Sequence, residues 1–267
     1  MPRANRYFLP GHVWHVTHRC HEKAFLLRFA RDRRRYLYWL FEARKRYGLC
    51  VLDYMVTSNH VHLLVQDAGN DAIPRAMQLV AGRTAQEYNM RKRRQGAFWE
   101  DRYHATAIEA DEHLHRCLVY IDLNMVRAGA VRHPAQWMQA GYREIQEPPA
   151  RYRIIDAAAL CRLCGVADVK ALRRLHRQWI EDALGREPRG RDKGWSDTIA
   201  DGSTRFVKQV KAALGTRAAH RNIETSDEKS ALREPTPTYL LSFAGKSEAL
   251  RSIDTPSRRK ISGTTGT

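Results

Sequence analysis

The order of elements along the chain predicts an α+β protein. It is a ferredoxin-like β-α-β-β-α-β sandwich with an added helix and a small helical module beyond it. Three observations predict it. Short runs of β-branched, aromatic and aliphatic residues recur at 12–18, 50–56, 60–66 and 102–109. Two longer stretches with helical spacing, 29–47 and 73–92, separate the first run from the second and the third from the fourth. Only Thr57, Ser58 and Asn59 lie between the middle pair, and so short a turn makes those strands antiparallel neighbours. This order puts both crossover helices on one face of a four-stranded sheet and leaves the other face available.

The first strand is "HVWHVTH", 12–18. His12, His15, His18 and His21 recur every third residue, but a strand divides them between its faces, so a four-histidine site is not expected. The first helix, 29–47, spaces Phe29, Tyr36, Leu37, Leu40, Phe41 and Tyr47 for one side, and Gly48 ends it. Its "RDRRR", 31–35, reads as a solvated face that adds non-specific attraction to a polyanion. "CVLDYMV" (50–56) and residues 60–66 are the second and third strands. The helix at 73–92 turns Ile73, Met77, Val80, Ala81, Thr84 and Tyr88 inward. "RYHATAIE" (102–109) alternates as the fourth strand. The added helix, "DEHLHRCLVYIDLNMVRA" (111–128), is expected to run unbroken from an Asp111 N-cap to Gly129.

Residues 1–149 are therefore expected to form the main domain. Residues 150–217 read as a helical module with helices at 156–164, 168–184 and 203–214. From 218 to 267 the chain is polar and rich in Ser, Thr, Pro and charge, which predicts a disordered tail. The 267 residues carry a formal net charge of +17, which points to a polyanionic partner, nucleic acid before membrane surface. No apolar run approaches the ~18 residues of a membrane span, and no apolar signal segment follows Arg3 and Arg6. The cysteines are scattered and odd in number, and Cys161-x-x-Cys164 lacks a second pair. A cytoplasmic, nucleoid-associated location is the expectation, with neither membrane nor disulfide framework.

"TSNHVHLLV", 57–65, holds the chemistry. His60 and His62 alternate with Val61, Leu63 and Val65, so both imidazoles emerge on one face. Two imidazoles so spaced can share a metal ion, although for the doublet alone a solvated strand face is the more ordinary explanation. On the added helix, at about 100° per residue, Leu114, Leu118, Ile121 and Met125 form a core stripe. His113, Cys117, Tyr120 and Asn124 form a neighbouring stripe. If this helix crosses the open face of the sheet, the Asn124 amide completes a His-His-Asn site. The Tyr120 hydroxyl then stands beside it as a nucleophile toward a phosphodiester.

"TSNHVHLLV", "GAFWEDRYHATAI", "LVYIDLNMVRAG" and the opening "PRANRYFLPGHVWHVTHRC" resemble the REP-associated tyrosine transposases. These are single-tyrosine members of the HUH nucleases, related to insertion-sequence transposases. The resemblance is strong over 2–145 and looser over 150–215. It implies the HUH endonuclease fold, with His60 and His62 as the histidine pair, Tyr120 as nucleophile and Asn124 as third ligand. It further implies Mg²⁺ or Mn²⁺ as cofactor and single-stranded or hairpin DNA, of the palindromic repeat (REP) kind, as partner. The implied reaction is cleavage through a 5′-phosphotyrosine and rejoining of strands. Met125 departs from the proline that many members carry there, which lets the helix continue.

Basic residues interleaved with aromatics suit single-stranded DNA. Arg91, Arg93, Arg94, Trp99 and Arg102 are the candidate contacts in this region, and Phe98 reads as core. The resemblance implies that Arg3 and Arg6 read bases flanking a hairpin. A monomer and a homodimer are both compatible with the sequence. The rival functions are a non-catalytic DNA-binding regulator on the same fold and a phosphodiesterase in which water attacks.

Overall fold

The computed structural model describes residues 8–110, 112–186, 198–218, 221–225 and 230–233. Arg3, Arg6, Asp111 and residues 234–267 lie outside the described residues. β1 (Val13–Arg19), α1 (Ala30–Tyr47), β2 (Cys50–Val56), β3 (His60–Gln66), α2 (Ala72–Lys92) and β4 (His104–Ile108) follow one another as expected. Their strands lie in the order β2-β3-β1-β4, which is ferredoxin-like. β1 is antiparallel to both β3 and β4, and β2 is antiparallel to β3.

The register decides which side chains share a face. His62 lies opposite Thr17, His60 opposite Arg19, and His15 opposite Leu64 and Thr106. Residues directly opposite in an antiparallel pair project to the same side, so His15, Thr17, His60 and His62 share one face. Trp14, Val16, Val61, Leu63 and Val65 take the other. They join Tyr36, Leu40 and Ala43 of α1 and Ile73, Met77 and Val80 of α2 in one buried core. Each such aliphatic side chain stabilises the fold by about 1.5–3 kcal/mol relative to exposure. α1 ends where Gly48 turns left-handed at φ 68° and its N–H reaches the Arg44 carbonyl.

The basic run in α1 is not one solvated face. Arg31, Arg34 and Arg35 are exposed, whereas Asp32 and Arg33 are buried. Arg33 donates to the carbonyls of Leu27 and Arg28 and to Gln139, and Asp32 pairs with Arg91. Five consecutive helical residues span more than a full turn, so some of them must face inward.

The added helix is broken. α3 (Glu112–Asp122) stops, Leu123 takes φ −80° and ψ 4°, and α4 (Asn124–Arg127) follows. An unbroken helix to 128 was the expectation. Distant partners account for the break, because Asp122 accepts the Tyr142 N–H and Leu123 packs with Tyr142 and Ile180.

α5 (Gly141–Gln146), α6 (Ala157–Leu163), α7 (Val169–Leu184), β5 (Thr198–Gly202) and α8 (Thr204–Leu214) come next, then β6 (Asn222–Thr225) and β7 (Ser230–Arg233). Asp156, Asp168 and Ser203 cap α6, α7 and α8 through their side-chain oxygens. β5 pairs parallel with β4, and β7 and β6 extend the sheet to seven strands in the order β2-β3-β1-β4-β5-β7-β6. These three strands were not expected. β6 and β7 stand where the sequence predicts a structureless tail from 218. They are short, polar or small, and lack a strand period. Their pairing comes from the β4 edge, whose open ladder accepts β5, and Thr106 secures it by donating to the Thr198 carbonyl.

β2 carries a fully buried acid, Asp53. One of its oxygens accepts the Tyr54 N–H, and the other meets no hydrogen-bond partner among the described residues. Burial, then the charges of Asp122 and Glu144, push its pKa well above the usual carboxylate range. A raised folded-state pKa means stability that is present below the unfolded value, about 3.9, and is lost as pH rises through the folded one. Asp53→Asn removes that loss. Its melting temperature relative to wild type is expected to rise between pH 5 and pH 8 by at least about 2 °C, the size of a ~1 kcal/mol change in a chain this long. A difference that stays flat across that range in thermal melts would contradict it.

Candidate active site

β3 brings the histidine pair to the open face through its two-residue period. His62 is 3% exposed and His60 is half-buried. Their ring centres are 4.9 Å apart. The Nδ1 of His60 faces Asn59 Oδ1 at 2.8 Å and Thr57 Oγ1 at 3.0 Å. The Nδ1 of His62 faces His15 Nε2 at 2.9 Å. In both residues the hydrogen-bonding neighbours sit on Nδ1, so coordination would be through Nε2.

α3 packs across this face, touching β2 and β4. Tyr120 is 9% exposed, and its ring centre lies 5.9 Å from that of His62 and 6.1 Å from that of His15, edge-on to both. Beyond the break, the Asn124 amide reaches His62 Nε2 at 3.1 Å through Nδ2. Amide oxygen and nitrogen are nearly alike in shape, so rotating the amide presents Oδ1 at the same point. Arg127 lies over the Tyr120 ring, its guanidinium 4.2 Å from the ring centre, and donates to the Tyr120 carbonyl. Burial lowers the Arg127 pKa, and the neighbouring Tyr120 opposes that shift.

Asn124 and Tyr120 therefore both flank His62, with His60 alongside. Two imidazoles sharing an ion at about 2 Å have ring centres roughly 4.5–5.5 Å apart, and the observed spacing fits. Among the described residues no three His, Cys, Asp or Glu side chains are grouped to hold a metal ion. An ion here would therefore take its further ligands from the Asn124 amide and from phosphate or water oxygens. That mixed nitrogen and oxygen set suits a divalent cation.

The expected DNA contacts divide. Arg93 and Arg102 are exposed. Arg91 is bound to Asp32, and Arg94 donates to Asn89 and to the Gly96 and Ala97 carbonyls. Trp99 is stacked on His18 at 3.9 Å and donates to the Ala81 carbonyl. A base or phosphate bound by Arg91, Arg94 or Trp99 would have to compete with those partners. Phe98 is buried, as a core aromatic should be. Arg3 and Arg6 lie outside the described residues.

Two residues of the site escaped the sequence reading. The threefold recurrence of histidine gives His15 no special place, yet its Nε2 lies 2.9 Å from His62 Nδ1. The available signal was the β1–β3 register, which no local pattern contains. Arg127 lies seven residues beyond Tyr120, two helical turns on, and that spacing could have drawn notice.

Residues 10–124 match the family model described as IS200-like transposase. The matched segment contains His15, His60, His62 and Tyr120 and ends on Asn124. Among solved structures, the chain is similar to a REP-associated tyrosine transposase bound to a REP hairpin. The two are 16% identical, with a TM-score of 0.46, over 58% of this chain and 94% of that one. It is also similar to a Deinococcus radiodurans R1 protein described as a transposase, 14% identical with a TM-score of 0.33, over 48% of this chain and 97% of that one. No curated protein matches the chain. No helix among the described residues is long and apolar enough to cross a membrane.

Proposed function

We propose that the protein, whose residues 10–124 match the IS200-like transposase family model, is a single-tyrosine DNA strand transferase acting on single-stranded or hairpin DNA. The observation that carries this reading is the meeting of Tyr120 with His62 and Asn124 on the sheet face opposite α1 and α2. A DNA-binding regulator has no need for a tyrosine ring 5.9 Å from the buried imidazole of His62.

The Tyr120 oxygen attacks the scissile phosphorus and the bond from phosphorus to the 3′ oxygen breaks. The phenol loses its proton, and the released 3′ oxygen gains one. The 5′ end stays on Tyr120 as a phosphotyrosine. Attack by a 3′-hydroxyl reverses the exchange and rejoins strands without an external energy source. Arg127, over the ring, favours the phenolate through its charge. His15 orients His62 through Nδ1. His60, His62 and Asn124 would hold Mg²⁺ or Mn²⁺, which when bound polarises a phosphate oxygen. Asparagine in place of a carboxylate keeps the site less repellent to phosphate. Arg93 and Arg102 supply backbone attraction, so hairpin affinity falls steeply with salt, and Arg3 and Arg6 read the bases flanking the hairpin.

The test is direct. Full-length protein and Mn²⁺ are incubated with an end-labelled hairpin oligonucleotide bearing single-stranded flanks, and denaturing gels are read for a protein–DNA adduct. An adduct with a free 3′-hydroxyl fragment is expected. Bound but intact DNA would leave a regulator, and cut DNA without adduct would leave a hydrolase.

A further inference from the structure

We infer that α7 is a brace that sets the joint between the nucleophile's helix and the helix of its neighbouring amide, with His176 as a positioning residue acting through Asp122. The inference rests on the strand-transfer reading above for its catalytic consequence, and on geometry alone for its structural one.

The joint is small and specific. Tyr120 lies two residues before Asp122, and Asn124 two residues after it. In an unbroken helix the Tyr120 carbonyl would take the Asn124 N–H; here it accepts from Arg127. Leu123 lies in the sparsely populated bridge region, which persists only when surroundings impose it. The surroundings that impose it are long-range. Asp122 has no exposed surface, and His176 has 1%. His176 Nε2 is 2.7 Å from Asp122 Oδ2, and the Tyr142 N–H is 3.1 Å from Asp122 Oδ1.

The direction of the His176 bond follows from its other side. Gln146 accepts from Arg177 through Oε1, so its Nε2 is the atom that donates to the Arg173 carbonyl and to His176 Nδ1. With Nδ1 accepting, His176 donates from Nε2 to Asp122. Around this chain, Leu123 packs with Tyr142 and Ile180, and the His115 and Trp179 rings stack at 5.0 Å. α7 thus touches α3 in its first turn and at its end. Without His176, Asp122 is a buried carboxylate short of a donor, and the joint can relax toward a continuous helix. That relaxation moves Asn124 relative to His62 and Tyr120. Displacements of about 1 Å can cost roughly 10²-fold in rate.

His176→Ala and His176→Gln in the full-length chain test this, since the glutamine amide keeps a donor toward Asp122. Three quantities are measured: single-turnover adduct formation on the hairpin, hairpin affinity, and amide hydrogen exchange over 119–127. For His176→Ala, adduct formation is expected to slow about tenfold or more, with affinity within about twofold and faster exchange confined to that segment. His176→Gln is expected to recover most of the rate and the protection. A His176→Ala protein that cuts at the wild-type rate would overturn the inference. So would an equal loss of binding and cutting, or glutamine behaving like alanine. If His176→Ala does not fold, Trp179→Ala is held to the same readouts. Should wild type form no adduct, the strand-transfer reading fails; exchange over 119–127 then decides the brace alone.

Discussion

Tyr120→Phe is expected to abolish the covalent protein–DNA adduct and DNA cleavage together, while hairpin affinity stays within about twofold, because only one oxygen is removed and the phosphate-attracting charge is untouched. The phenyl ring keeps its edge-on packing against His15 and His62 and stays beneath Arg127. The fold should therefore hold, and the melting temperature is the control. Loss of adduct with full binding assigns the nucleophile. An adduct that survives the substitution moves that role to another side chain and sinks the mechanism. Cleavage that continues without an adduct makes water the attacking group.

His62→Ala is expected to lower cleavage by about 3–5 kcal/mol in barrier, roughly 10²–10⁴-fold. It removes the imidazole that Asn124 and His15 both contact. The effect is read in single-turnover cleavage across a Mn²⁺ titration, with circular dichroism to confirm folding. Excess Mn²⁺ should not restore the rate, because the donor itself is gone. His15→Gln provides the contrast. It leaves the donor and loses only its orientation, so its deficit should be smaller, about 10–100-fold. A His62→Ala protein with near-wild-type cleavage would remove the metal from the mechanism. An equal deficit in the two variants would make His62 a packing residue instead.

The two experiments separate chemistry from architecture because the site draws on distant parts of the chain. β3 contributes imidazoles, α3 a phenol, α4 an amide and β1 an orienting ring. Each element has its own local cause. The trace of these causes in the sequence is uneven. Strand alternation in "HVHLLV" was enough to put His60 and His62 together on one face. Helical spacing was enough to give Tyr120 and Asn124 a common surface, although the helix proves to be broken between them. The basic and aromatic cluster was less legible. Arg91, Arg94 and Trp99 look solvent-directed in sequence, yet they are engaged by Asp32, Asn89 and His18. A charge run reveals composition, and burial depends on which neighbour arrives.

By itself the sequence determined the order of the ferredoxin-like elements, the face on which both imidazoles emerge and the family resemblance. These follow from short-period patterns, in which a residue and its near neighbours set the dihedral angles and the exposed side. Only the tertiary structure decided that α3 lies across the open face and that His15 joins His62. It alone decided that Asp122 and His176 set a joint in the tyrosine helix, and that β5, β7 and β6 extend the sheet. Those outcomes are sums of contacts between residues tens of positions apart. Strand register, a buried carboxylate's donors and an open sheet edge are settled by what meets them in space, and no local period records that meeting.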